Sequence, residues 1–161
     1  MRLISASPNH YQEITDIYNW AIENTTATFD TEVKSLENFT EFLNSIKKQH
    51  LIVIEDEGQV IGWGCLKPFS DRSAYNNTVE LSLYIAPENH AQGLGTLLMK
   101  KLVLIAIDSD VKSIISKITE ESTPSIRLHE KFSFDTVGTM KEVGHKFDRW
   151  INVVIMQKTL F

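Results

Sequence analysis

"YIAPENHAQGLGTLLMKKL", residues 84–102, carries the apolar end of a strand-like segment through a proline turn and two closely spaced glycines into a leucine-rich stretch at helical spacing. A helix N-terminus leaves about four backbone N–H groups unpaired and carries partial positive charge, and glycines let an anion come close to the main chain. The Gly93-Leu94-Gly95 turn therefore reads either as a cradle for a phosphate-bearing ligand or as an ordinary tight strand-to-helix turn. Leu94, Leu97, Leu98, Leu102 and Ile105 are predicted to bury one face of the helix that follows. Two phosphate motifs are excluded by residue identity. No Lys-Ser/Thr pair follows the second glycine, as a Walker loop requires, and Leu98 stands where the dinucleotide fingerprint has its third glycine.

Outward from this junction the chain alternates strand and helix patterns. "RLISA" reads as a first strand and "SPNHYQEITDIYNWAIEN" as a helix, with Tyr11, Ile14, Tyr18 and Ala21 at helical spacing and Ser7 or Asn9 placed to cap it. "SLENFTEFLNSIKK" predicts a second helix through Leu36, Phe39, Leu43 and Ile46. "HLIVIED" and "QVIGWGCLKP" form a hairpin turned at Glu57-Gly58, and "TVELSLYIAP" is the strand that feeds the glycine turn. Downstream, "KSIISKIT" reads as a strand and "TPSIRLHEKF" as a short helix with Pro124 in its first turn, before the closing strands "FDTVGTMKEV" and "RWINVVIMQKTL". Helices between strands in the middle and an antiparallel end make a mixed α/β architecture. No repeat or Pro/Gly/Ser-rich linker divides the chain, so one domain over residues 1–161 is expected.

A net charge of −5, with basic runs no longer than Lys47-Lys48 and Lys100-Lys101, argues against a nucleic-acid partner. The only cysteine, Cys65, lies in "VIGWGCL", which excludes an internal disulfide, fits a reducing compartment and predicts a small core residue. The N-terminal apolar run is too short for a signal peptide and no segment approaches the ~18 apolar residues of a membrane span, so a soluble, cytoplasmic protein is expected. His10, His50, His90, His129 and His145 show no ligand spacing, and no metal is expected. Trp20, Phe29, Trp63 and Trp150 are expected to be core or interface aromatics.

The window His90-Ala91-Gln92-Gly93-Leu94-Gly95 resembles the pyrophosphate-binding motif of GCN5-related N-acetyltransferases, R/Q-x-x-G-x-G/A after a strand, with His90 where arginine is common and Ala91 where many relatives have another glycine. "SIRLHEKFSFDTVGTMKEVGHKFDRWINVVIMQK" resembles the C-terminal signature of the phosphinothricin and methionine sulfoximine acetyltransferase branch. "IYNWAIENTTATFDTE" and "PFSDRSAYNNTVELSLYI" are similar to it as well, so the likeness covers most of the chain. Ser122 stands where that branch commonly has a coenzyme-contacting asparagine, Ser133 where it has glycine and Asn152 where it has aspartate.

The resemblance implies a twisted mixed sheet of six to seven strands flanked by about four helices. It also implies a sheet opened between "TVELSLYIAP" and "KSIISKIT" to admit acetyl-CoA, with no metal needed. Leu83, Tyr84 and Ile85, near a bulge, would pair with the pantetheine arm and polarise the thioester carbonyl. Ala91, Gln92, Gly93, Leu94, Gly95, Thr96 and Ser122 would hold the rest of the cosubstrate. Strand alternation puts Glu80, Ser82 and Tyr84 on one face, and a charge within an apolar strand makes Glu80 the candidate base, directly or through water; the other reading is a solvent-facing carboxylate. His129 matches the position that protonates the departing thiolate in many relatives, or else is a helix-surface or capping histidine. Arg72, Tyr75 and Thr78 would bind a carboxylate-bearing amine, or belong to a solvated loop. The expected activity is direct transfer of acetyl from acetyl-CoA to an amino acid or analogue of phosphinothricin or methionine sulfoximine type, by a homodimer. The alternatives are a non-catalytic acyl-CoA sensor and a protein or peptide N-acetyltransferase.

Overall fold

A computed structural model describes all 161 residues. Seven strands and four α-helices follow in the order β1 (Arg2–Ser5), α1 (Tyr11–Asn24), α2 (Leu36–Ser45), β2 (Leu51–Asp56), β3 (Gln59–Pro68), β4 (Thr78–Ile85), α3 (Leu94–Asp108), β5 (Ser113–Thr119), α4 (Thr123–Lys131), β6 (Asp135–Lys146) and β7 (Arg149–Thr159). The strands form one sheet, ordered β1-β2-β3-β4-β5-β7-β6. Every neighbouring pair is antiparallel except β4–β5, which is parallel and joined through α3. The expected mixed sheet with four flanking helices is the observed one.

Local chemistry explains most boundaries. The β2–β3 hairpin turns on Glu57 and Gly58, both at positive φ (49° and 81°), the conformation a two-residue primed turn demands. The first helix is interrupted: Pro8–His10 form a 3-10 turn in which the Ser7 amide donates to His10 Nδ1 at 3.0 Å, and regular helix begins at Tyr11. Ser35 caps α2 by accepting from the Asn38 amide. That helix stops at Ser45, short of the expected Lys48, because Ile46 turns extended (φ −87°, ψ 136°) to bury its side chain, and Lys48–His50 form a separate turn into β2.

The sheet separates two apolar clusters. One holds Leu66, Val79, Leu81, Ile114, Met156 and the inner face of α3; the other holds Ile14, Tyr18, Phe39, Leu43, Val53 and Trp63 from α1, α2 and the opposite sheet face. The buried stripe of α3 is rotated from the expected one. Leu94, Leu98 and Leu102 are buried as expected, but Met99, Val103 and Ala106 complete the face, Ile105 is only partly buried and Leu97 is exposed, since a residue one position off the stripe swings by about 100°. Cys65 is buried, and burial pushes its thiol up to about 12. Trp63 is core, whereas Trp150 is exposed on the outer strands and Phe29 is partly exposed. No helix is long and apolar enough to cross a membrane.

Candidate active site

β4 pairs with β5 only from Thr78 to Glu80, opposite Ser113 to Ile115; beyond that the strands part. The closed end is tied by the Lys112 amide donating to Asn77 O at 2.8 Å and Asn77 Nδ2 donating to Asp110 O at 2.8 Å. On its other edge β4 stays in continuous register with β3, from Pro68–Val79 to Gly62–Ile85. No register shift falls at Leu83–Ile85, so the expected bulge is replaced by divergence of intact strands. The result is the same opening. From Leu81 onward the β5-facing edge of β4 presents main-chain groups to a slot rather than to a neighbour.

That slot is a narrow cavity of about 80 Å³ lined by Leu81, Ser82, Leu83 and Tyr84 on one side and Ser116 to Thr119 on the other, with Ser122, Ser125 and His129 from α4 and its approach completing the lining. His129 is not on the helix surface. It is 3 % exposed, its Nδ1 lies 2.7 Å from Ser125 O and its Nε2 lies 2.9 Å from Ser116 Oγ. A carbonyl only accepts, so Nδ1 carries the proton, and in the neutral ring Nε2 accepts from the Ser116 hydroxyl. Burial holds this imidazole below its ordinary value, which favours that neutral form.

Beyond β4 the glycine turn delivers α3, bringing Gly95 next to Leu83, whose methyl a Cβ there would meet at 3.9 Å. Gly93, at φ 77°, occupies its N-cap, and Leu97 is the first helical residue whose amide bonds back, to Gly93 O at 3.3 Å. The preceding helix amides therefore face outward as donors. Gly95 fits by packing rather than φ: a Cβ there would lie 3.3 Å from a Leu128 methyl of α4, closer than ordinary van der Waals contact. Ala91 adopts φ 60° without being glycine. His90 pins the loop: its Nε2, 2.9 Å from Ile85 O, donates to that carbonyl, and its ring meets Trp20 edge-on. It thus braces the turn.

On the opposite sheet face the slot opens into a chamber of about 510 Å³, the two sharing Ala27, Ser82, Tyr84, Lys117 and Thr119. Glu80 reaches into this chamber, its side chain 13 % exposed, with Lys67 Nζ at 3.7 Å and Lys117 Nζ at 3.5 Å. Tyr18, Thr28 and Asp30 form a second polar wall: the Tyr18 hydroxyl bonds Asp30 and lies 2.8 Å from Thr28 Oγ1. Burial, with the Asp30 hydrogen bond adding, pushes the Tyr18 phenol up; burial does the same to Tyr84, so both stay neutral. Phe29, Met140, Val143 and Val153 supply apolar lining.

The structure thus brings Glu80 and Tyr84 to the chamber and Leu83, Tyr84, Ser122 and His129 to the slot, whereas Ile85 and Ala91 to Thr96 line neither cavity, Gly95 lying beside Leu83. Arg72, Tyr75 and Thr78 line neither cavity within one chain. Arg72 is exposed, and Tyr75 stacks edge-on with Phe69, whose ring lies 5.9 Å from Lys117 Nζ, so this loop meets the chamber only through an intermediary. Sequence reasoning missed Lys67, Lys117, Tyr18 and Asp30. Lys67 was findable from the hairpin register, which sets it opposite Glu80.

A coenzyme with an extended polar arm and a diphosphate fits these residues: an unpaired strand edge along the slot and outward amides in the turn that follows that strand. Comparison with known proteins agrees. Residues 3–155 match the family described as acetyltransferase (GNAT) domain. The phosphinothricin N-acetyltransferase of Streptomyces coelicolor is 32 % identical over 91 % of this chain and 89 % of its own. The crystal structure of a Sinorhizobium meliloti GNAT superfamily phosphinothricin acetyltransferase in complex with AcCoA superposes with TM-score 0.95 at 31 % identity, over 99 % of this chain and 88 % of that one. A structure described as ribosomal-protein-alanine N-acetyltransferase from Brucella melitensis superposes with TM-score 0.95 at 33 % identity, over 99 % and 100 %.

Proposed function

The chain belongs to the acetyltransferase (GNAT) family, and from that premise we propose that it transfers acetyl from acetyl-CoA to the amino group of an amino acid or amino-acid analogue, in a ternary complex. The observation that carries this reading is the pair of cavities meeting through the split sheet, a slot on one side and a chamber with a central carboxylate on the other. Acetyl-CoA supplies an activated thioester carbonyl. The amides of Gly93 to Thr96, with Ala91 and Gln92, hold its diphosphate end, Ser122 contacts it within the slot, and the main chain of Leu83 to Ile85 holds the arm and polarises the carbonyl. Glu80 takes the proton that an ammonium must lose before its nitrogen can attack, directly or through one water. An α-amino group, ordinarily near ~8, makes that easier than a lysine side chain near ~10.4. His129 serves the slot through the Ser116 hydroxyl, the proton on Nδ1 being committed to Ser125 O.

The chamber's paired charges suit a zwitterion, with Glu80 facing the ammonium and Lys67 and Lys117 facing a carboxylate or phosphinate; Arg72, Tyr75 and Thr78 would add to this only if their loop closes or a second chain supplies it. We place the enzyme in the cytoplasm as one domain acting as a homodimer. Exposed Val137, Met140 and Val143 on β6, with Phe147 and Trp150 beyond, offer the apolar area a partner copy would cover. A thiol-release assay against phosphinothricin, methionine sulfoximine, amino acids, polyamines and peptides tests the activity. Acetylation of an amino acid or analogue is expected; transfer to peptides alone would favour the protein N-terminus, a reading the Brucella neighbour's description supports. Coenzyme binding without any turnover would favour a sensor.

A further inference from the structure

Five of the chamber's lining residues, Thr26, Ala27, Thr28, Phe29 and Asp30, belong to the segment between α1 and α2. Outside the helices and strands, no backbone–backbone hydrogen bond involves residues 26 to 34, so no ladder fixes this wall. Its placement rests on side chains, and three of its supports, two direct and one through Glu121, lead to one distant place, the adjoining ends of β6 and β7 around their turn. Lys146, 4 % exposed, donates from Nζ to Thr28 O at 2.8 Å across 118 residues. Arg149 forms a two-pronged pair with Glu121, whose Oε1 accepts from Thr26 Oγ1 at 2.8 Å. Gly144 lies directly under the Phe29 ring: a Cβ there would fall 2.3 Å from Phe29 Cε2. Gly144, Lys146 and Arg149 line neither the chamber nor the slot.

We infer that the β6–β7 turn is a clamp on the acceptor wall, and that Gly144, Lys146 and Arg149 are positioning residues that set amine affinity and size selectivity through Thr28, Thr26 and Phe29. The inference rests on the proposed transferase reading for its kinetic form. A bidentate guanidinium–carboxylate pair and a buried ammonium on a carbonyl are directional bonds, suited to holding an irregular segment at one height above the chamber. Thr26 Oγ1 also lies 3.0 Å from Thr119 Oγ1, which lies 2.7 Å from Ser122 Oγ, so the Arg149 branch reaches the slot as well. The Lys146 branch touches the acceptor wall alone, and it is therefore the branch to test.

Lys146→Met keeps the stem and removes the bond. It is expected to raise the KM for the amine by about tenfold, the worth of one charge-assisted hydrogen bond, while kcat and the KM for acetyl-CoA stay within twofold; Lys146→Arg is expected to recover most of the loss. Gly144→Ala displaces Phe29 and is expected to change the order of preference among amines of different side-chain size. Chymotryptic cleavage after Phe29 reads the same clamp without turnover and is expected to be several-fold faster in Lys146→Met at matched melting temperature. An amine KM and a cleavage rate both unchanged in folded Lys146→Met would overturn the inference. Absence of transfer by the wild-type chain to every amine would instead defeat the proposed function, leaving the cleavage comparison to decide the clamp.

Discussion

The glycine turn and the chamber, where we propose that coenzyme and amine are held, are built from different parts of the chain. The turn offers the outward main-chain amides of Leu94, Gly95 and Thr96, oriented by one left-handed glycine and a helix packed on the sheet. The chamber uses side chains from α1, the segment after it, β3, β4, β5, β6 and β7, several of which meet only because strands pair. A site made of backbone tolerates side-chain change provided φ is allowed; a site made of side chains tolerates it poorly and can be retuned to new amines.

Glu80→Gln is the sharpest way to break this contrast. It should lower kcat at neutral pH by about 10²-fold, the usual scale for a lost general base, with a smaller loss at alkaline pH where more amine is already neutral. Acetyl-CoA affinity should not change. Turnover and its pH profile, measured beside a calorimetric titration, check both halves, and an unchanged profile removes Glu80 from the base role.

Acid should act on the protein through its buried imidazoles before its carboxylates. Burial holds both His50 and His129 below the ordinary histidine value, with Lys47 adding to the effect at His50. The unfolded chain therefore binds protons that the folded one refuses. Stability contributed by the neutral rings is complete above about pH 6.5 and falls as pH drops from there through the folded values. Glu121, held at about 2 chiefly by the Arg149 hydrogen bond, keeps its contribution until far lower pH. Melting temperatures across pH 7.5 to about 5 should fall, and His50→Gln should flatten part of that fall.

The smallest effect sharpens the turn's side of the comparison. Ala91 (φ 60°) and Ser133 (φ 62°) hold left-handed conformations at the two positions where the resembled branch has glycine. Replacing either by glycine should stabilise by up to about 1 kcal/mol, a left-handed penalty relieved against the greater entropy glycine loses on folding. The corresponding rise in melting temperature is about 2–4 °C, read by calorimetry.

The same contrast explains what could be read in advance. Strand β3 falls on the expected residues because its apolar run and a Glu-Gly turn are local signals, and the glycine turn that starts α3 was visible for the same reason. Leu97 was misassigned because neighbouring leucines on a helix rich in apolar residues offer several stripes, and only tertiary packing picks one. Lys67, Lys117, Tyr18 and Asp30 carried no local mark, since their shared neighbourhood exists only after β3, β4 and β5 pair and α1 docks on them. Arg72 carried a tempting one, a guanidinium in a loop beside an aromatic, yet its loop stands away from the chamber.

Calorimetric titration with acetyl-CoA tests the split sheet and its glycine turn most directly. Wild-type protein should take up one equivalent per chain saturably, Glu80→Gln should bind as wild type, and Gly93→Val, forced against the left-handed φ of its turn, should bind about tenfold more weakly. Absence of saturable binding to the wild-type chain, or Gly93→Val binding as tightly as wild type, would mean that the slot and its amides hold no coenzyme.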